Sequence, residues 1–316
     1  MKSQAMIFEG APERLDVFIT RSESGLSREF VKRLINEGRA MVNGAGRKPA
    51  FLLSPGDSVT IDLPAMGKKE TAALDSIIIY EDKDLLAVSK PAGVSVHPND
   101  SNWERRPETC LICEPTLVSM LLRARPELGN NKVPRMGLVH RLDRDTSGLM
   151  LVAKTLEAQT ALQTQFRERL VEKTYVGVVG GVPAKKTGSI DAPIGRASGF
   201  KKIKVWEYGR AALTDFKVTE KTKNHAMLEV YPRTGRTNQI RIHLEFIGHP
   251  IVGDRLYAGE RASRLMLHSR EITFIHPVKS KKMTLKVELP EDFLCEWSNI
   301  KKADKLDQQW LVISGC

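Results

Sequence analysis

The stretch VHRLDRDTSGLMLVAKT, Val139 to Thr155, joins two kinds of chain. Its first part, His140-Arg141-Leu142-Asp143-Arg144-Asp145-Thr146-Ser147-Gly148, has turn composition, with short polar side chains that bond to nearby backbone. Its second part, LMLVAKT, is an apolar run that reads as a strand. A charged loop pinned against a strand is the usual location for chemistry on a rigid scaffold. Asp143 and Asp145 stand beside Arg141 and Arg144. A carboxylate next to arginine is expected to stay ionised to low pH, so either aspartate is a candidate structural anion, general base or nucleophile.

Working outward, KTYVGVVGG, LTDFKVTEK, HAMLEVYP and REITFIHP read as further strands. LEAQTALQTQFRERL predicts a helix with Leu162, Phe166 and Leu170 on one face. TNQIRIHLEFIG predicts another, with Ile240, Leu244 and Ile247 at helical spacing and a stop at Gly248. Upstream, IIIYEDKDLLAVSKPAG gives two apolar runs around an acidic turn, then a sharp corner at Lys90-Pro91-Ala92-Gly93. Strands dominate without regular strand-helix alternation, which argues against a parallel doubly wound sheet. The fold class is therefore α+β, with a mixed, mostly antiparallel sheet. A polar, proline-dotted stretch over 99–135 reads as an insertion with one helical pattern, LVSMLLRARPEL.

The first 66 residues form a unit of their own. GLSREFVKRLINEGRAMVNG places Leu26, Phe30 and Leu34 at helical spacing with Val31 and Ile35 alongside, and Gly38 where a helix ends. The opposite face carries Arg28 and Lys32, with Arg39 just beyond, three cations able to track a phosphate backbone. AMVNGAGRKPAFLLSPGDSVTIDLP then reads as short strands joined by Asn-Gly and Pro-Gly-Asp turns. The expected organisation is a small basic domain over 1–66, a linker over 67–74, a larger domain over 75–300 and a tail over 301–316. A formal charge of +11 and a pI near 9.5 suit a polyanionic partner better than an acidic metabolite.

Cys110, Cys113, Cys295 and Cys316 are too few for a secreted disulfide framework, and TCLIC offers one C-x-x-C pair without a second at ligand spacing. The histidines are scattered, so no metal and no cofactor are expected, and His140 is read as a loop-ordering hydrogen-bond donor. No run is apolar enough for a signal peptide or a membrane helix, and a cytoplasmic monomer is the expectation.

The nine residues from His140 to Gly148 closely resemble the signature of the RluA family of pseudouridine synthases, H-R-L-D-x-x-T-S-G followed by an apolar strand. LLAVSKPAGVSVHP, EKTYVGVVGG, PRTGRTNQIRIHL, GHPIVGDRLYAG and LMLHSREITFIHP resemble the family's other blocks and come in its order. The N-terminal unit is similar to an RNA-binding domain first known from a small-subunit ribosomal protein, through Arg14-Leu15-Asp16, Ser27-Arg28 and GRAMVNG. Two departures are visible. Asn238 stands where relatives commonly have His after T-G-R-T, and the Gly-Asp-x-x-Tyr-Gly pattern is spread by one residue between Gly253 and Gly259.

The resemblance implies isomerisation of uridine to pseudouridine in RNA, which needs one carboxylate and no cofactor. It implies Asp143 as that carboxylate, with Asp145 at the family's variable position. Attack on the ribose, attack on the base and a glycal route all stay open. It further implies Arg141 as the residue holding a flipped-out nucleotide and Tyr175 as a stacking ring and proton carrier. Arg236 is implied as the partner that keeps Asp143 ionised or as a phosphate contact. By family habit ribosomal RNA is favoured over transfer RNA. Two alternatives explain part of the sequence: a non-catalytic ribosome-assembly protein, and a carboxylate hydrolase, which would want a second positioned acid or a metal.

Overall fold

A computed structural model describes residues 2–22, 28–63, 75–98, 102–104, 110, 115–129, 133–196 and 202–313. The chain packs as two compact units, Met1–Ser76 with Ser95–Met136, and Ile77–Val94 with Gly137–Cys316. Leu26, Cys113 and the expected linker lie outside the described residues, as does the side chain of Phe30.

In the first unit, β1 (Lys2–Ile7), β3 (Ala40–Val42), β4 (Ala45–Gly46) and β6 (Ser58–Leu63) form an antiparallel sheet in the order β1-β6-β3-β4. A short pair, β2 (Glu13–Arg14) with β5 (Leu52–Leu53), lies beside helices α1 (Leu15–Ser22) and α2 (Arg28–Asn36). Val31, Leu34 and Ile35 of α2 are buried with Leu15, Ile19, Val59 and Ile61, as the helical spacing requires. Asn43 and Gly44 both have positive φ, the conformation that a two-residue hairpin turn demands. Asp16 is fully buried and accepts from Arg14 Nε at 3.0 Å and Arg28 Nε at 3.1 Å. Arg28 thus ties the two helices together. Arg39 Nε lies 3.5 Å from Glu37, and Lys32 is exposed. Over the insertion, α3 (Leu117–Ala124) starts in a capping box, in which Thr116 and Ser119 bond each other's backbone N–H.

The second unit is built on a nine-stranded sheet. Its strands are β7 (Ile78–Glu81), β8 (Leu85–Lys90), β9 (Ser147–Ala153), β10 (Glu172–Gly180), β11 (Thr187–Asp191), β14 (Leu213–Lys221), β15 (His225–Pro232), β16 (Leu267–Ile275) and β17 (Lys282–Lys286). The order is β11-β14-β15-β10-β16-β9-β8-β7, with β17 also on β16; β12 (Ile194–Gly195) pairs separately with β13 (Lys204–Val205). All pairs are antiparallel except β9 with β16. Helix α4 (Leu156–Arg167) packs Ala158 and Leu162 on Leu149, Leu151 and Ala153. Helix α5 (Gln239–Phe246) and helix α6 (Glu291–Ile313) add Ile240, Leu244, Phe293 and Trp297 to the other large cluster. Leu170 departs from expectation. α4 ends at Arg167, and Leu170 lies past the stop, 57% exposed. α6 runs unbroken across residue 301, where a tail was expected.

Candidate active site

The parallel pairing of β9 with β16 places the charged loop. Ser147 and Gly148, at the start of β9, register with His268 and Ser269 of β16, and Ser269 registers with Tyr175 of β10. The end of the HRLDRDTSG loop therefore sits beside Tyr175 at the centre of the sheet. Gly148 makes this close approach possible: its φ is +114°, and a Cβ there would lie 2.2 Å from the Ser269 carbonyl oxygen. On the far side of β9, the Lys90 corner clamps the loop. Lys90 is fully buried, and its Nζ donates to Pro91 O and Val94 O at 2.8 Å and to Arg144 O at 2.9 Å. Arg144 Nε returns a bond to Gly93 O at 3.0 Å.

A cavity of about 720 Å³ opens over this loop. Asp143, Tyr175, Arg141 and Arg236 all line it; Asp145 is exposed and does not. Among the described residues that line it, seven are Lys or Arg and Asp143 is the one acid. The cavity is therefore a cationic chamber around a single carboxylate, a setting that favours a polyanion presenting a neutral base.

The cation that meets Asp143 is Arg241, with Nη1 at 3.6 Å from Oδ2. Arg236, expected in that position, instead donates from Nε to Ala211 O at 3.1 Å, while its backbone N–H donates to Gln239 Oε1. Arg236 precedes α5, whereas Arg241 lies inside it, in a stretch where every residue from Gln239 to Leu244 is buried. Arg241 is held by a fork onto fully buried Asp254, Nε to Oδ2 at 2.7 Å and Nη2 to Oδ1 at 2.8 Å, and its guanidinium lies 5.1 Å from the Tyr257 ring centre. Asp254 also accepts from the backbone N–H groups of Leu256 and Tyr257. Asn238, one of the two departures, binds both members of this support, through Oδ1 to Arg241 at 3.2 Å and Nδ2 to the Tyr257 hydroxyl at 3.1 Å. An arginine interrupting an apolar helical stripe, with an unassigned aspartate in GHPIVGD, was the signal that could have found this pair.

Burial pushes the Asp143 carboxyl up from its ordinary value, against the pull of Arg241, Arg141 and Lys90. This reverses the expectation of a carboxyl held low by its neighbours, because the loop takes Asp143 into the cavity wall, where loss of water outweighs the cations. Burial likewise pushes the Tyr175 phenol up to about 12, with Ser269 bonded to it and Asp143 adding to the rise. His140 is a second reversal. Its Nε2 accepts from Leu151 N at 2.9 Å, its ring stacks on Phe166 at 4.5 Å, and burial lowers it to about 3, so it orders the loop as a neutral acceptor.

Among the described residues, Asp82, Asp84 and His276 are close enough to hold a metal. Asp82 and His276 have their donor atoms engaged, whereas Asp84 Oδ2 is buried without a hydrogen-bond partner. Asp82 accepts from Tyr80, Lys279, His276 and two backbone N–H groups. His276 Nδ1 accepts from Val278 N and Lys279 N, which leaves the proton on Nε2.

The family description RNA pseudouridylate synthase matches residues 84–246, and S4 domain matches 13–59. The chain is 36% identical over 306 residues to ribosomal large subunit pseudouridine synthase D of Pseudomonas aeruginosa, covering 91% of this chain and 92% of that protein. It is 35% identical over 301 residues to the RNA pseudouridine synthase YlyB of Bacillus subtilis, covering 93% and 96%. Human RNA pseudouridylate synthase domain containing 4 superposes with a TM-score of 0.56 at 26% identity, covering 71% of this chain and 92% of that one. With the family's sequence match spanning over half of the chain and running through the Asp143 loop, the Tyr175 strand and the Arg241 helix, this protein belongs to the RNA pseudouridylate synthase family.

Proposed function

We propose that the protein converts specific uridines of large-subunit ribosomal RNA to pseudouridine, with Asp143 as the reacting carboxylate. The observation that carries the assignment is Asp143 as the one acid among the described residues lining a cationic cavity, braced by Arg241. The reaction breaks the bond between the ribose and a uracil nitrogen, turns the base and rejoins it through a ring carbon. Each route requires the target nucleotide to leave its stack, at about a few kcal/mol, and Arg141 at the cavity wall is suited to take its place. Tyr175 stacks on the uracil; a phenol held at about 12 stays protonated at neutral pH, which suits donation over proton removal. Arg236 serves the RNA backbone, since its guanidinium lines the cavity without engaging Asp143.

The ribosomal substrate is supported by the name of the Pseudomonas relative and by the S4 match, which overlaps the expected RNA-binding domain at 1–66. In this reading that domain docks RNA through Lys32, Arg39 and Arg28, chemistry resides in the 75–300 part, and the enzyme works as a cytoplasmic monomer. Pseudouridine mapping of unmodified ribosomal RNA incubated with the protein tests it. The unaltered chain and Asp145→Asn should form pseudouridine, and Asp143→Asn should bind RNA without converting it. Equal activity of Asp143→Asn and the parent would overturn the assignment of the carboxylate. Conversion confined to transfer RNA would move the substrate.

A further inference from the structure

Lys173 is the residue that the reaction leaves unused. It stands two positions before Tyr175 on β10, so both side chains fall on one face of the strand; the extra residue where the β10–β16 register shifts, Arg270, is on β16. Lys173 lines the 720 Å³ cavity and also a neighbouring one of about 350 Å³. Five residues are common to both cavities: Arg169, Val171, Lys173, Pro232 and Arg233. Three are cations and two are apolar. The acids of the smaller cavity, Glu172 and Glu271, do not reach the larger one, and Glu172 is engaged by Lys282 at 3.4 Å.

A recessed ammonium normally has a counter-charge, because an unpaired buried charge is costly. Among the described residues Lys173 makes no ion pair, and burial lowers its pKa with no opposing contribution. Its flanking cations are both directed. Arg233 Nε is fixed by Asp215 Oδ2 at 2.7 Å. Arg169 follows α4 with φ of +61°, at a position where Leu170 N bonds Gln165 O and Arg169 N bonds Phe166 O. That helix stop favours glycine, and an arginine in the left-handed region costs about 1 kcal/mol or more. Arg169 lines both cavities, so with Lys173 and Arg233 it makes three cations where they meet.

We propose that Arg169, Lys173 and Arg233 form a phosphate subsite where the two cavities meet, which takes the phosphodiester group adjoining the nucleotide admitted to the Asp143 pocket. The proposal rests on the RNA reading above and adds to it the path of the strand. The polynucleotide runs from the larger cavity toward the smaller one, past the first residues of β10.

The test uses the full chain and an unmodified large-subunit ribosomal RNA transcript, with Lys173→Met and Lys173→Arg. In the Asp143→Asn background, Lys173→Met should weaken binding and lower the slope of log Kd against log salt by roughly 0.7 to 1, the share of one phosphate contact. With Asp143 intact, kcat/KM should fall chiefly through KM, and Lys173→Arg should restore most of the loss. An unchanged salt slope overturns the subsite, and so does a fall confined to kcat, which would give Lys173 to the chemistry. The unaltered chain supplies a second measurement should Lys173→Met fold poorly. On a hairpin carrying the mapped uridine, a neutral methylphosphonate at one adjoining phosphate should weaken binding; uniform affinity at every adjoining phosphate refutes the proposal. Failure of the unaltered chain to make pseudouridine in any RNA would instead strike the proposed function itself.

Discussion

Arg241→Met removes the residue on which two separate consequences converge. In the native chain the guanidinium forks onto Asp254, whose carboxylate is fully buried, and reaches Asp143 with a third nitrogen. Methionine preserves the packing volume and strands the Asp254 carboxylate with only two backbone N–H donors. Breaking one partner of a buried pair costs about 3–5 kcal/mol. For a unit of roughly 200 residues, where each kcal/mol moves Tm by about 2–4 °C, that corresponds to a fall on the order of 6–20 °C. The second consequence concerns Asp143. Arg241 pulls its carboxyl down against burial, so without it the carboxyl rises further, and the reactive anion is lost at higher pH as the solution is acidified. Thermal melts and single-turnover pseudouridine formation between about pH 5 and about pH 8 read the two effects separately. Asp254→Asn supplies the control. In that background Arg241→Met strands no buried anion, so its thermal cost should shrink by about 1–3 kcal/mol. Additive costs in the double variant, together with an acid limb that stays in place, would refute the account of Arg241 as the bridge between support and carboxylate.

Gly148→Ala should abolish soluble, active protein, because the new Cβ meets the backbone of Ser269 at 2.2 Å in a φ region that alanine disfavours; soluble yield and thermal melts check it. His140, half-buried under Phe166, and the buried His268 are neutral, with pKa values lowered from the ordinary 6.5 to about 3 and about 4. The unfolded chain binds protons first as pH falls below about 6.5, so stability should drop from there toward the folded values by up to about 1.4 kcal/mol per pH unit for each histidine. His140→Gln, which keeps an acceptor for Leu151 N, should flatten that decline in urea midpoints. Lys32→Ala should weaken RNA binding with Tm unchanged. Arg28→Ala should lower Tm as well, since it removes one of two arginines on buried Asp16; equal melts for the two variants would count against that distinction.

Much of this protein was legible in order along the chain. Turn-forming residues before an apolar run located the loop of Asp143, and strand composition without regular alternation with helices gave the mixed, mostly antiparallel sheet, because both signals are local and repeat every two or four residues. The amphipathic pattern of α2 and the stop at Gly248, φ +80°, were equally local. The pairing of Asp143 with Arg241 was not. Arg236 and Arg241 are both arginines near the start of one helix, and only the rotation of α5 against Asp254 decides which of them meets the carboxylate. The same limit applies to charge state. Neighbouring arginines in sequence suggested a carboxyl held low, and His140 was read as a donor, whereas burial raised the carboxyl and the histidine accepts from Leu151 N. Removal of water depends on what packs from distant parts of the chain, here the β9–β16 pairing and Phe166 of α4. Local sequence therefore determined which groups stand near the carboxylate, and tertiary packing decided which of them touch and which are charged.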